Sequence, residues 1–267
     1  MASVNRDGLT IHYEVFGQGP RLFVFNGSGA TIESTRWMLD ALARQFTVLV
    51  HDQRGLGKTG LGDGGHPATM ADFAADGKAV LDALGWDDAA IFGMSFGGMV
   101  AQEFAVTFPD TVSRLALLCT SSGGAGGSSY PLHTLASLTA TERQRIAIYN
   151  LDTRFTPEWL AEHPSDQGLV DVMTNSATIE KSDDVQRGEA AQLAARAGHD
   201  TWDRLGLIAC PTLVAAGRFD ALAPLANSEA LAGAIPNAEL DVFEGGHLFI
   251  VQDRRALPRV MDFLLGE

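Results

Sequence analysis

Residues 89–108 constrain this chain more than any other stretch. An apolar run from Ala89 to Phe92 ends in Gly93-Met94-Ser95-Phe96-Gly97, and an amphipathic run continues from there without a break. That order reads as a strand, a tight turn and a helix. Such a turn leaves no room for large neighbours, and a Cβ at Gly93 or Gly97 would collide with the opposing backbone. The Ser95 side chain is therefore pushed out of the sheet and over the first turn of the helix. Free backbone N–H groups and the helix dipole favour negative charge there.

The flanking segments supply the rest of a sheet. Residues 2–16 alternate in polarity and are broken by Asp7-Gly8, so two antiparallel strands open the fold. Residues 21–25 form a continuous apolar strand, as a sheet buried on both faces requires. A helix over 34–44 with Trp37, Leu39 and Leu42 inward follows, then a strand over 46–50. Residues 59–67 read as a Gly-rich loop, 69–84 as a helix stopped by Gly85, and 112–119 as the strand after the Ser95 unit. This alternation implies a mostly parallel sheet with helices on both sides.

After residue 120 the pattern breaks. About seventy residues pass without a convincing strand, too many for a structureless loop. Helices are expected at 139–149, 157–162, 169–175 and 182–197, so residues 121–202 read as a helical cap inserted over the strand ends. Strands at 211–216 and 240–243 and helices at 224–234 and 254–265 then complete a core domain made of residues 1–120 and 203–267.

Open α/β sheets bind ligands beyond the carboxyl ends of their strands. Asp220 follows the strand at 211–216, and Gly245-Gly246-His247 follows the strand at 240–243. With Ser95 these give a nucleophile, an acid and a histidine in that chain order. A serine hydroxyl is a weak nucleophile at neutral pH, so His247 must take its proton during attack. Asp220 would fix the imidazole tautomer and stabilise its positive charge. Each residue has a plainer alternative. Asp220 could merely cap the next helix. Of the seven histidines, His51 also ends a strand, but it precedes the serine and leads into a turn with Asp52, so the pair reads as scaffold. The strand at 112–119 is followed by Thr120-Ser121-Ser122, which offers no carboxylate.

Two backbone N–H groups should form an anion hole, one from Phe96 and one from the loop after residue 25. Ser28 is the expected donor there and Gly27 the alternative. Asn26, Trp37, Met94 and Trp159 are candidate pocket residues. If the substrate carries a second acid, an arginine should line the pocket, and Arg143, Arg145, Arg154 and Arg187 lie in the cap. Glu33 and Arg36, just past the anion-hole loop, either touch substrate or open the next helix, and the helix-opening role is the favoured one.

Composition narrows the function classes. A net charge of −14 disfavours nucleic acid and anionic membranes as partners. No apolar run approaches the roughly 20 residues that span a bilayer, and the first residues show no secretory signal. Cys119 and Cys210 lie in or beside apolar runs without a CxxC partner, as expected of buried reduced thiols in a cytoplasmic protein. Neither a metal nor a cofactor is expected.

Four patterns occur in order: Asn26-Gly27-Ser28-Gly29-Ala30-Thr31, Asp52-Gln53-Arg54-Gly55-Leu56-Gly57, Gly93-Met94-Ser95-Phe96-Gly97-Gly98 and Gly245-Gly246-His247. Together they resemble the α/β-hydrolase family over essentially the whole chain, and within it the 3-oxoadipate enol-lactonases and related carboxylic-ester hydrolases. The resemblance implies an α/β-hydrolase fold, a helical cap, cofactor-free chemistry and an acyl-enzyme on Ser95. Two departures stand out. Most relatives open the anion-hole loop with His-Gly where this chain has Asn26-Gly27, and enol-lactonases often follow that Asn with serine. Serine at 95 also disfavours the dehalogenase and epoxide-hydrolase chemistries, which need a carboxylate nucleophile. The leading expectation is hydrolysis of a small ester or lactone. Carbon–carbon bond cleavage of meta-cleavage products and a ligand receptor on a hydrolase scaffold are the alternatives.

Overall fold

Asp7 and Gly8 both take positive φ, 52° and 84°, as a two-residue turn matched to the strand twist requires. The turn sets strand β1 (Ala2–Arg6) antiparallel to β2 (Leu9–Gly17), with Arg6 opposite Leu9. In this computed structural model, which describes residues 2–62, 68–177 and 180–267, six more strands follow. They are β3 (Arg21–Phe25), β4 (Thr47–His51), β5 (Ala89–Met94), β6 (Val112–Leu118), β7 (Thr212–Gly217) and β8 (Ala238–Phe243). The eight strands form one sheet in the order β1-β2-β4-β3-β5-β6-β7-β8. The β1–β2 and β2–β4 pairs are antiparallel and the others parallel.

The helices are α1 (Arg36–Leu42), α2 (Met70–Ala83), α3 (Phe96–Thr107), α4 (Ala140–Leu151), α5 (Pro157–Glu162), α6 (Pro164–Ala177), α7 (Asp183–Ala197), α8 (Leu225–Ala234), α9 (Phe249–Gln252) and α10 (Ala256–Leu265). Strand β3 shows why its apolar run is unbroken. Phe23 and Phe25 point into one core layer with Phe73 of α2 and Val100 and Phe104 of α3. Leu22 and Val24 point into the other, with Leu39 and Leu42 of α1 and Val260 and Phe263 of α10. Each side chain fully buried in this way stabilises the fold by about 1.5–3 kcal/mol. Helix α2 starts where the sequence places it because Thr69 and Asp72 form a capping box.

Several expectations are refined. Helix α1 turns Met38, Leu39 and Leu42 inward, whereas Trp37 is 53% exposed. Trp37 therefore does not share the inward face with Leu39, because a step of two residues rotates a helix by about 200°. The helix expected over 169–175 begins earlier, at Pro164. The closing helix is preceded by the separate short turn α9. Part of the expected loop 59–67, residues 63–67, lies outside the described residues.

Helices α4 to α7 fall between β6 and β7, and Leu151 of α4, Leu160 of α5 and Val170 of α6 form a small apolar cluster with Phe155. The chain leaving α4 is stitched to the loops that follow β7 and β8. Thr153 N–H donates to the Phe219 carbonyl at 3.0 Å, Leu222 N–H to that of Asn150 at 3.0 Å, and His247 N–H to that of Leu151 at 2.5 Å. Among the described residues, no helix is long and apolar enough to cross a membrane.

Candidate active site

Ser95 sits between β5 and α3 at φ 54°, a left-handed conformation uncommon for a residue with a side chain. The surroundings over-determine it. Its N–H donates to the Leu118 carbonyl at 2.8 Å. Its own carbonyl accepts from Gly98 N–H at 2.9 Å, Met99 N–H at 3.2 Å and the Thr120 hydroxyl at 2.9 Å. A Cβ at Gly97 would strike the carbonyl oxygens of Phe25 and Asn26, and one at Gly93 would lie 2.6 Å from the Ala101 Cβ. Both glycines are therefore obligatory for α3 to leave the sheet this sharply. The strain is held in place by packing on every side.

The three residues singled out from strand ends meet. His247 Nε2 lies 2.9 Å from Ser95 Oγ, and His247 Nδ1 lies 2.7 Å from Asp220 Oδ2. All three are buried, at 9%, 7% and 5% exposure for Ser95, His247 and Asp220. An ionised carboxylate can only accept, so Nδ1 carries the proton and Nε2 faces the serine hydroxyl as an acceptor. The other carboxylate oxygen, Oδ1, accepts from the N–H groups of Leu222 and Ala223, each at 2.8 Å. Asp220 thus shapes its own turn and orients the imidazole as well; the plain role and the chemical one coincide. In chemical terms, the arrangement can deprotonate an alcohol as it attacks a carbonyl, and return the proton to a leaving group.

His51 and Asp52 are elsewhere engaged. His51 is buried against the rings of Phe23 and Phe25, with centroids 5.4 and 5.7 Å away, and burial lowers its pKa to about 4. Asp52 accepts from the N–H groups of Ile32 and Lys58, both at 2.9 Å. It therefore anchors the loop that follows β3.

That loop carries the expected anion-hole donor. Phe96 is the first residue of α3, so its N–H has no carbonyl one turn earlier to bind. Gly27 is buried beside Ser95, and Ser28 is exposed. The loop is braced from two directions. Gln53 Nε2 donates to the Asn26 carbonyl at 2.7 Å, and Gly29 N–H donates to Gln192 Oε1 at 2.8 Å. Gln192 Nε2 closes the circuit on Gln53 Oε1 at 3.2 Å. Neither glutamine stands out in the sequence, because 139 residues separate them.

The candidate pocket residues divide. Asn26 is buried, and its amide nitrogen and oxygen have no hydrogen-bond partner among the described residues. Met94 is half-buried beside Gly27. Trp159 is engaged within the insertion: it stacks on His163 at 3.7 Å, and its Nε1–H donates to Asp166 at 2.8 Å. Trp37 is not brought to this cluster by any contact among the described residues. An apolar groove of about 500 Å³ runs between Leu135, Ile148, Leu151 and Met173 and reaches Leu222, two residues beyond Asp220.

Of the arginines considered from sequence, Arg154 pairs with Asp152, Arg187 with Asp184, and Arg143 donates to the Leu138 carbonyl at 2.6 Å. Arg145 is exposed. Arg36 binds Glu14 and Asp40 at the surface, as a helix-opening residue would. The buried cation is another residue, Arg196, in the last turn of α7.

The profile of the alpha/beta hydrolase fold family matches residues 20–253. The poly(3-hydroxyalkanoate) depolymerase of Ectopseudomonas oleovorans is 32% identical over 255 residues, covering 92% of this chain and 84% of that protein. The 3-oxoadipate enol-lactonase 2 of Acinetobacter baylyi is 25% identical over 260 residues, covering 96% and 93%. Among solved structures, a hydrolase from Pseudomonas aeruginosa superposes with a TM-score of 0.79 at 28% identity, covering 100% of this chain and 98% of its own. An eight-stranded sheet with this strand order, a serine at its central turn and a family match across most of the chain lead to one conclusion: the chain belongs to the α/β-hydrolase fold family.

Proposed function

We propose that this protein is a serine hydrolase that cleaves a small carboxylic ester or lactone through an acyl-enzyme on Ser95. The observation that carries the proposal is the continuous hydrogen-bonded line from Asp220 through His247 to Ser95, at 2.7 and 2.9 Å. In the first half-reaction Ser95 Oγ bonds to the ester carbonyl carbon while His247 Nε2 takes the hydroxyl proton. The carbonyl π electrons move onto oxygen, where the N–H groups of Phe96 and Ser28, or Gly27, would stabilise the charge. Collapse expels the alkoxide, which leaves as the alcohol with the proton from His247. In the second half-reaction His247 deprotonates water as it attacks the acyl carbon; the bond from that carbon to Ser95 Oγ then breaks, the imidazolium returns the proton to Oγ, and the acid departs. Asp220 stays ionised throughout and balances the imidazolium.

Two of the relatives are named for ester-bonded substrates, one a polymer, poly(3-hydroxyalkanoate), and the other an enol-lactone. The helices between β6 and β7 would act as a cap over the pocket, and the acidic chain would work in the cytoplasm. Replacing Ser95 by alanine should abolish turnover of a simple aryl acetate, because nothing else at the turn can form the acyl intermediate. Turnover that survives Ser95→Ala refutes the proposal.

A further inference from the structure

Among the described residues, Arg196 is a buried cation with no carboxylate in ion-pair contact: it is 8% exposed, and none lies within 4.0 Å of its guanidinium. Its one hydrogen bond among them is long, 3.5 Å from Nη2 to the Tyr130 carbonyl. A guanidinium has five N–H donors, and burying one without partners is strongly unfavourable. Arg154 and Arg204 show the ordinary solution in this chain, pairing with Asp152 and Glu103. Arg196 instead lines a cavity of about 200 Å³ together with Met99, Ser121, Ser129, Tyr130 and His199. Among the described residues no aspartate or glutamate borders that cavity, and Arg196 is its one lysine or arginine.

One residue of the cavity wall, Met99, and the chain neighbour of another, Ser121, hold the backbone of the reactive serine. Met99 N–H binds the Ser95 carbonyl from one side of the turn, and Thr120, next to Ser121, binds it from the other. Burial pushes the Arg196 guanidinium down to about 10, opposed by attraction from Asp220, so it remains a cation at neutral pH and its field reaches the triad acid. His199 is pushed down to about 4 by burial and contributes no charge there. The molecule as a whole carries −14 and repels anions, so accepting one requires a local cation of this kind.

We propose that this cavity is an anion subsite of the active centre, in which Arg196 holds a carboxylate of the substrate. The preferred ester or lactone then carries a negative charge on a short carbon chain from the scissile carbonyl. The inference rests on the serine-hydrolase reading above and adds the substrate class to it. A guanidinium suits the role because its planar fork matches a carboxylate with two parallel hydrogen bonds.

The test compares charged and neutral esters in matched pairs. One pair is 4-nitrophenyl hydrogen glutarate against 4-nitrophenyl valerate, with the charge on the acyl side. The other is 4-acetoxybenzoate against phenyl acetate, with the charge on the leaving group. In Arg196→Met the charged-to-neutral ratio of kcat/KM should fall about 10- to 100-fold in one pair, the range for a hydrogen bond to a charged group. Arg196→Lys, which keeps the charge and loses the fork, should fall between. Glutarate should bind to Ser95→Ala in calorimetry and lose that binding when Arg196→Met is added. An unchanged ratio in both pairs, with turnover still dependent on Ser95, overturns the subsite and leaves the hydrolase reading standing. Turnover that survives Ser95→Ala overturns the hydrolase reading, and the glutarate titration then decides the subsite alone.

Discussion

Replacing Asp220 by asparagine changes one atom and should silence the enzyme without unfolding it. The carboxylate has two separate tasks: Oδ1 accepts two backbone N–H groups at 2.8 Å, and Oδ2 faces His247 Nδ1 at 2.7 Å. An asparagine has one acceptor oxygen and one donor nitrogen. The two fixed N–H groups can only donate, so the amide oxygen must take the Oδ1 place. The amide NH₂ then points at Nδ1, which has to become the acceptor, and the ring proton moves to Nε2. A protonated Nε2 cannot take the Ser95 proton. Loss of the correct tautomer in a Ser-His-Asp site costs about 10⁴-fold in kcat, roughly 5 kcal/mol of barrier. The loop keeps its hydrogen bonds, so the melting temperature should move little. Asp220→Ala strands the Ala223 N–H at about 1–3 kcal/mol, while Leu222 N–H keeps the Asn150 carbonyl, and should lower the melting temperature by a few degrees as well. Aryl acetate hydrolysis and thermal melts on both variants decide the matter. An Asp220→Asn enzyme within tenfold of wild type would refute the tautomer argument.

Gln192→Leu removes the acceptor for Gly29 N–H and the tie to Gln53. It should lower kcat about tenfold, a fraction of the cost of losing an anion-hole donor outright; unchanged kcat would show that the brace is dispensable. Stability should also fall in mild acid. Burial holds His51 and His199 at about 4 in the fold, against an ordinary 6.5 when unfolded. Between those values the unfolded chain binds the extra protons. The folded state therefore keeps its full stability above pH 6.5 and loses up to about 3 kcal/mol per histidine as the pH drops toward 4. Urea unfolding at pH 7 and 4.5 measures the loss, and His51→Leu should reduce it; an identical pH slope in that variant would contradict the assignment.

Much of this was legible in the chain because it is written locally. The unbroken apolar run of β3 announces a strand covered on both faces, and Phe23 and Leu22 do enter opposite layers. Gly93 and Gly97 announce a close approach, and the carbonyls of Phe25 and Asn26 do lie where a Cβ at 97 would go. What stayed hidden depends on pairings between distant segments. Gln53 and Gln192 are ordinary polar residues until α7 packs over the loop after β3. Arg196 looks like a basic residue placed to complement its own helix end, and only the fold around Ser121 and Tyr130 buries it. The bonds from residues 150–153 to the loops of Asp220 and His247 are made by backbone atoms, which leave no mark on side-chain pattern.

The central claim is that Ser95 is the nucleophile, and covalent labelling tests it most directly. An aryl phosphonate ester should react once per chain, with the added mass on the tryptic peptide that contains Ser95. The label should disappear in Ser95→Ala and form far more slowly in Asp220→Asn. A label found on any other residue in the wild-type protein, accompanied by loss of esterase activity, would contradict the mechanism.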